Sequence, residues 1–387
     1  MIVQGIDIFK DTPVQLTVEQ GKIVDRQPIP MRQGLPYLSP AFIDLQVNGY
    51  RGIDYSAPSI STAEIATLVG YLAESGTARH VPTIITNSSE RICNNLAAIA
   101  KAVASDPLVA VAIPAIHVEG PFISSEDGPR GAHDRAFVRD PSMKELDAWI
   151  DASEGLLRIV TISPEREGSI DFIRHAVSRG ILVAIGHTGA SAEQIAQAVD
   201  AGARLSTHLG NGSHAQLPRL KNYLWEQLAE DRLTSGLIAD GHHLPSSVLK
   251  VFLRAKGAQR IFLVSDVAFL GGSRPGRYTW GDIAVEVHAD GHLGLADTPY
   301  LAGAGHLLDT CIPNFCASTG LPLAESIKLA TDNPAGLLAP GTPVARMEVS
   351  ERADLVLFRT QGGNKKLQIE QTILAGTTLY RSEEART

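Results

Sequence analysis

Three side chains of the kind that ligate divalent metals each close an apolar run. Glu119 ends VAIPAIHVE (111–119), His187 ends ILVAIGH (181–187) and His208 ends ARLSTH (203–208). A carboxylate and two imidazoles converging on one point form a three-ligand set for a divalent cation. An open fourth position on such a cation binds water and lowers its pKa toward about 7. Asp266 closes a further run, RIFLVSD (260–266). A carboxylate beside that water can take its proton and pass it to a leaving amine. A single histidine at a strand end is more often a hydrogen-bonded rim residue, but four such groups at strand ends argue for a shared task.

The elements that must position these groups are legible as two alternating patterns. The same kind of apolar run recurs as PAFIDLQV (40–47), RHVPTII (79–85), LRIVTIS (157–163) and SGLIAD (235–240). Segments with helical apolar spacing lie between them: 62–76, 89–105, 169–180 and 191–202. Ser191 is a candidate N-cap, and Gly180 and Gly202 are candidate helix stops. Eight buried-looking strands separated by helices predict an α/β fold, a (β/α)8 TIM-type barrel with its chemistry at the C-terminal strand ends. An open doubly wound sheet would explain the strands but not so many polar ends. Both chain ends read instead as short alternating strands. They predict a small β-sandwich domain from 1–38 and 343–387, with the barrel (39–342) inserted. The Gly-rich segment 268–320 reads as an insertion or long loop with a hairpin in TWGDIAVEVHADGHLGLAD (279–297), before a last helix at 323–332.

Composition excludes other classes. The 387 residues carry 34 Lys and Arg against 42 Asp and Glu, a net charge of -8 with no basic run, so no nucleic-acid partner is expected. No apolar stretch approaches the roughly 18 residues of a membrane span. The N-terminus shows no basic region followed by an apolar block, so a cytoplasmic location is expected. Cys93, Cys311 and Cys316 are too few and too irregular for a disulfide framework and read as packing. His242 reads as a rim residue, His288, His292 and His306 as surface groups, and Trp280 as packing in the hairpin.

In this order and at these intervals HVEGPF, GHTGAS, THLGNGSH, ADGHH and LVSD resemble the amidohydrolase superfamily. FIDLQVNGYRG, with Gln46, Asn48 and Gly49 where many amidohydrolases carry His-x-His, is similar to its N-acetylglucosamine-6-phosphate deacetylase branch. GAHDRAFVR and LAGAGHLLD resemble further family segments. The resemblance covers nearly the whole chain. It implies Glu119, His187 and His208 as metal ligands and Asp266 as general base, then general acid. It implies that His133 polarises the acetamide carbonyl or contacts the sugar, and that Gln46 sits near the metal through water. Asn211 and Gly212 would meet the ligand, while His243 and Arg219 would hold a 6-phosphate, across a dimer interface in a homodimer. The cofactor implied is a divalent ion, zinc first, with iron, manganese or cobalt as alternatives.

The segment after His208 departs from the family's His-Leu-(Tyr or Phe)-Asn-Ala-Met. Gly210, Gly212 and Ser213 remove bulk and His214 adds a titratable group. The leading expectation is hydrolysis of the N-acetyl group of an amino sugar, N-acetylglucosamine 6-phosphate first, to acetate and glucosamine 6-phosphate. The changed 210–221 loop keeps an unphosphorylated N-acetyl sugar or another N-acyl amide as the alternative. A non-catalytic barrel scaffold ranks lower, because it predicts loss of a metal or acid–base position and none is lost.

Overall fold

A computed structural model describes residues 1–280, 283–298, 300–341, 345–360 and 366–383. Its centre is an eight-stranded parallel sheet whose strands neighbour one another in chain order. They are Phe42–Val47, Thr77–Ile85, Ile116–Glu119, Leu157–Ile162, Leu182–Ile185, Leu205–Ser206, Thr234–Ile238 and Ile261–Val264. Each of the eight predicted runs overlaps one. The first, third and eighth are buried at every position, as expected for strands covered on both faces. Ile43, Leu45, Val81, Ile159, Leu205 and Phe262 fill the interior, so the barrel is a packed core rather than a pore. The helices cover the outside with one apolar face each, such as Ile65, Leu68, Val69 and Leu72 of Thr62–Ala73. Ser191 caps Ala192–Ala201 with a reciprocal Gln194 bond, and Gly202 ends that helix at φ 117°.

The first and eighth strands close on each other at their C-terminal ends. Val47 bridges Val267, Asp266 N donates to Gln46 O at 2.9 Å, and Asn48 N donates to Val267 O at 3.0 Å. Below this, the buried Asp44 carboxylate accepts from Ser265 N and Gln46 N at 3.2 Å.

The chain ends form one seven-stranded mixed sheet, Ile2–Asp7, Thr12–Glu19, Lys22–Pro28 and Tyr37–Pro40 together with Leu355–Arg359, Gln368–Leu374 and Thr377–Arg381. It has its own core of Val14, Leu16, Leu38, Leu355 and Ile373. The expected 342/343 boundary lies outside the described residues.

Three segments differ from the periodicity reading. Residues 107–112, the approach to the third strand, are a short helix, Pro107–Ala112. Segment 268–320 is not only loop. It holds a three-stranded antiparallel sheet, Gly276–Trp280, Ile283–Val287 and Leu293–Leu295, across which the expected hairpin at 279–297 falls, its Gly281 and Asp282 lying outside the described residues. It also holds a helix, Leu308–Thr319, whose pattern is blurred by an internal Pro313. The last predicted helix is broken into Leu323–Lys328 and Asp332–Leu338. Leu263 N and Ile43 N donate to the carbonyls of Leu329 and Ala330 at 2.9 and 2.8 Å. Those carbonyls are turned to the barrel strands, and Pro334 has no N–H with which to continue the helix from Ala330.

Burial pushes the Asp44 carboxyl up to about 7, against the hydrogen bonds it accepts from Ser265 and Gln46. The folded state therefore holds a proton that the unfolded chain gives up near pH 4. Stability from this group is present at low pH and is lost as pH rises from about 4 to 7, by at most about 1.4 kcal/mol per pH unit. Denaturant titrations of the wild type and Asp44→Asn across pH 4–8 should show their difference changing in that window and flat above it. A difference independent of pH would remove Asp44 from the account.

Candidate metal centre and active-site cavity

The predicted groups sit where strands hand over to loops at one end of the barrel. Glu119 is the last residue of the third strand, while His187, His208 and Asp266 each follow a strand by two residues. These last three have left-handed backbone, with φ of 51°, 25° and 50°. Such conformations cost about 1–3 kcal/mol each and persist where surroundings over-determine them. Asp and His are among the non-glycine types that tolerate them best.

The side chains meet at one point. His187 Nε2 and His208 Nε2 are 3.0 Å apart and lie 3.2 and 3.1 Å from the same oxygen of Glu119. Ligand atoms around a four-coordinate zinc are about 3.3–3.5 Å apart, so an ion fits with an expansion of a few tenths of an ångström. The tautomer of His187 agrees. His187 Nδ1 lies 2.8 Å from the Pro129 carbonyl, which can only accept, so Nδ1 carries the proton and Nε2 turns a lone pair to the centre. His133, Glu119 and His187 make an alternative set. In it, His133 Nε2 stands 3.8 Å from the other Glu119 oxygen, so the triad with His208 is the tighter fit.

Supporting residues hold this arrangement. Gln46 Nε2 donates directly to Glu119 Oε1 at 2.8 Å, with no water between, and Gln46 lies behind the site rather than in the cavity lining. Thr86, which sequence reasoning did not single out, holds His133 Nδ1 at 2.8 Å. Thr86 in turn requires Gly120, because a Cβ there would stand 2.1 Å from its hydroxyl. Asn48 Nδ2 donates to Asp266 Oδ1 at 2.8 Å, while Asp266 Oδ2 lies 3.9 Å from His208 Nε2. Asn211 donates through Nδ2 to His208 O at 3.1 Å and so fixes the turn that aims His208.

The charges follow from burial and partners. Burial opposes ionisation of Glu119, but the hydrogen bonds and charges of His187 and His208 outweigh it and hold the carboxyl well below its usual range. Burial alone would lower His208. The Glu119 hydrogen bond and the Asp266 charge instead raise it to about 9. Burial, with Glu119 nearby, lifts Asp266 to about 6 despite the attraction of His208. Burial and the neighbouring His187 drop His133 to about 3, so its ring is neutral.

These groups open into a cavity of about 540 Å³, within the roughly 300–1,000 Å³ of small-molecule sites. Glu119, His133, His187, His208, Asn211, Gly212, His243 and Asp266 all line it. His243 Nδ1 is held by Asp240 Oδ2 at 2.8 Å. Arg219 is not part of the lining and is exposed on its loop. Trp280 stacks edge-on against Phe269, as packing predicts, but it also lines the cavity together with Tyr300 and Leu301. The insertion therefore contributes to the mouth, which no local pattern announced. His214 lines the rim and contacts Glu126 Oε2 at 2.9 Å.

A parallel barrel with carboxylates and imidazoles converging on its C-terminal mouth has the architecture of a hydrolase of the amidohydrolase class. No family model matches the chain. N-acetylglucosamine-6-phosphate deacetylase of Bos taurus is 32% identical over 97% of this chain and 90% of its own length. N-acetylgalactosamine-6-phosphate deacetylase of Escherichia coli O157:H7 is 30% identical over 88% of this chain and 89% of its own. The crystal structure of N-acetyl-D-glucosamine-6-phosphate deacetylase from Mycobacterium smegmatis superposes with a TM-score of 0.85 at 27% identity, over 98% of this chain and all of that one. The chain belongs to the N-acetylglucosamine-6-phosphate deacetylase family.

Zinc titration against a competing chelator checks the donor set. Gln46→Ala should weaken binding by about 10–100-fold, the range for an outer partner of a ligand, and Glu119→Gln should weaken it further. Unchanged affinity in Glu119→Gln would exclude this centre.

Proposed function

We propose that this protein hydrolyses the N-acetyl amide of N-acetylglucosamine 6-phosphate to acetate and glucosamine 6-phosphate. The observation that carries this reading is the convergence of Glu119, His187 and His208 at 3.0–3.2 Å with the Asp266 carboxylate beside them. In this reading the three hold a divalent cation, zinc first, with iron, manganese or cobalt as alternatives. Such a cation supplies a Lewis acid for the amide carbonyl and makes water acidic enough to attack at neutral pH.

The protein's own groups do the rest. Asp266, oriented by Asn48, takes the proton of the attacking water on Oδ2 and returns it to the departing amine nitrogen. His133 stays neutral and, with its Nδ1 accepting from the Thr86 hydroxyl, offers Nε2–H to the developing oxyanion. His243, steadied by Asp240, binds the sugar phosphate. Arg219 is exposed on its own chain, so in this reading it reaches the phosphate of a second copy and the working form is a homodimer. Gly212 and Asn211 shape the sugar side of the cavity. We place the protein in the cytoplasm and divide it into a β domain (1–38 and 343–387) and a barrel (39–342). Among the described residues no helix is long and apolar enough to cross a membrane.

The exposed Arg219 and the slimmed 210–214 segment support one second reading, an unphosphorylated N-acetyl sugar or another N-acyl amide. Acetate release by the zinc-loaded protein separates the two. The phosphorylated sugar should exceed the free sugar in kcat/KM by at least about tenfold, the lower end for one charge-assisted hydrogen bond. Equal turnover would move the function to the second reading. Asp266→Asn should lower kcat by about 10²–10⁴-fold with zinc content unchanged, and a variant retaining full kcat would remove Asp266 as the base.

A further inference from the structure

Four histidines that the mechanism does not use come together beside the cavity, and one of them, His242, is part of its lining. His242 follows the seventh barrel strand, His288 and His292 flank the turn between Ile283–Val287 and Leu293–Leu295, and His306 precedes the helix Leu308–Thr319. Their rings form a column. His288 and His292 are 3.9 Å apart between ring centroids and 6° from parallel, His292 and His242 are 4.7 Å apart at 25°, and His242 and His306 are 5.4 Å apart at 13°. One carboxylate accompanies them. Asp290 Oδ1 is 2.6 Å from His292 Nδ1, and its Oδ2 is 4.0 Å from His242 Nε2.

Two features point to a ligand. Among the described residues no hydrogen bond engages a ring nitrogen of His242, His288 or His306, while the nearby Asp240 is committed to His243. The 4.0 Å gap between His242 and Asp290 is too wide for a hydrogen bond. It exceeds the ligand spacing around a four-coordinate zinc by only about 0.5–0.7 Å. One ligand atom from each of His242, Asp290 and His292 lies within 4.8 Å of the others. The terminal His torsion is soft, so the near-parallel rings can turn their lone pairs onto one ion.

We propose that His242, Asp290 and His292 form a second divalent-metal site, separate from the Glu119 centre, with His288 and His306 available as further ligands. Imidazoles with a single carboxylate suit zinc, copper or nickel rather than calcium or magnesium. His242 belongs to the barrel rim and Asp290 and His292 to the three-stranded insertion, which carries Trp280 to the cavity. An ion there clips the insertion to the barrel beside the substrate entrance. This proposal does not depend on the catalytic reading.

Zinc binding to untagged, chelator-stripped protein tests it. The wild type should take up two zinc ions per chain and Asp290→Asn/His292→Asn one, the retained ion showing that the variant is folded. A variant with the inner centre disabled, Glu119→Gln/His208→Asn, should keep one ion and lose it when the outer pair is also replaced. Zinc should slow amide exchange in residues 283–295 of the inner-site variant but not of the combined one. Unchanged stoichiometry and affinity in Asp290→Asn/His292→Asn, or no zinc on the inner-site variant, would overturn the proposal.

Discussion

A carboxylate buried to 3% exposure must be neutralised or paired, and Glu119 is paired with two imidazoles inside the barrel mouth. This requirement organises much of what surrounds it. Burying a charge without partners costs several kcal/mol, so the strand ends must deliver His187 and His208 to it. They do so through left-handed backbone at both histidines. The pairing also needs its own support, which comes from the Gln46 amide on the carboxylate and the Pro129 carbonyl on the His187 ring. A cluster of one anion and two imidazoles at 3.0–3.2 Å is crowded for protons and well spaced for a cation.

The barrel supplies the rigidity that this arrangement needs. Beneath the centre, His117 reaches Thr161, and Thr161 reaches Thr207, each at 2.7 Å. Burial lowers His117 to about 4, so it serves as a neutral hydrogen-bonding ring rather than a charge. This polar layer separates the apolar interior from the reacting end. The closure between the first and eighth strands brings Asn48 and Asp266 together, two residues 218 positions apart in the chain.

The mouth is assembled differently. Its walls come from loops and from the three-stranded insertion, whose core of Leu270, Val285, Val287 and Leu293 is its own. A site whose converging carboxylate and imidazoles rest on strands and whose entrance rests on loops can vary the entrance without disturbing that convergence.

The sequence by itself determined the barrel, because burial on both strand faces and helical apolar spacing are written in consecutive residues. It also marked which side chains meet at the barrel mouth, since Glu119, His187, His208 and Asp266 lie at strand ends. Helix limits fixed by local bonds, such as Ser191 with Gln194, were legible for the same reason. Only the tertiary structure decided the rest. The break at Leu329–Ala330 depends on strands more than 60 residues away in sequence. Thr86 is tied to His133, and Gln46 directly to Glu119, by strand register. Arg219 lies outside the cavity and Trp280 at its edge because loop paths, not periodicity, place them. The column of His242, His288, His292 and His306 draws on segments that no local pattern connects. Contacts between distant residues are set by the packing of whole elements, and a chain read residue by residue carries no record of that distance.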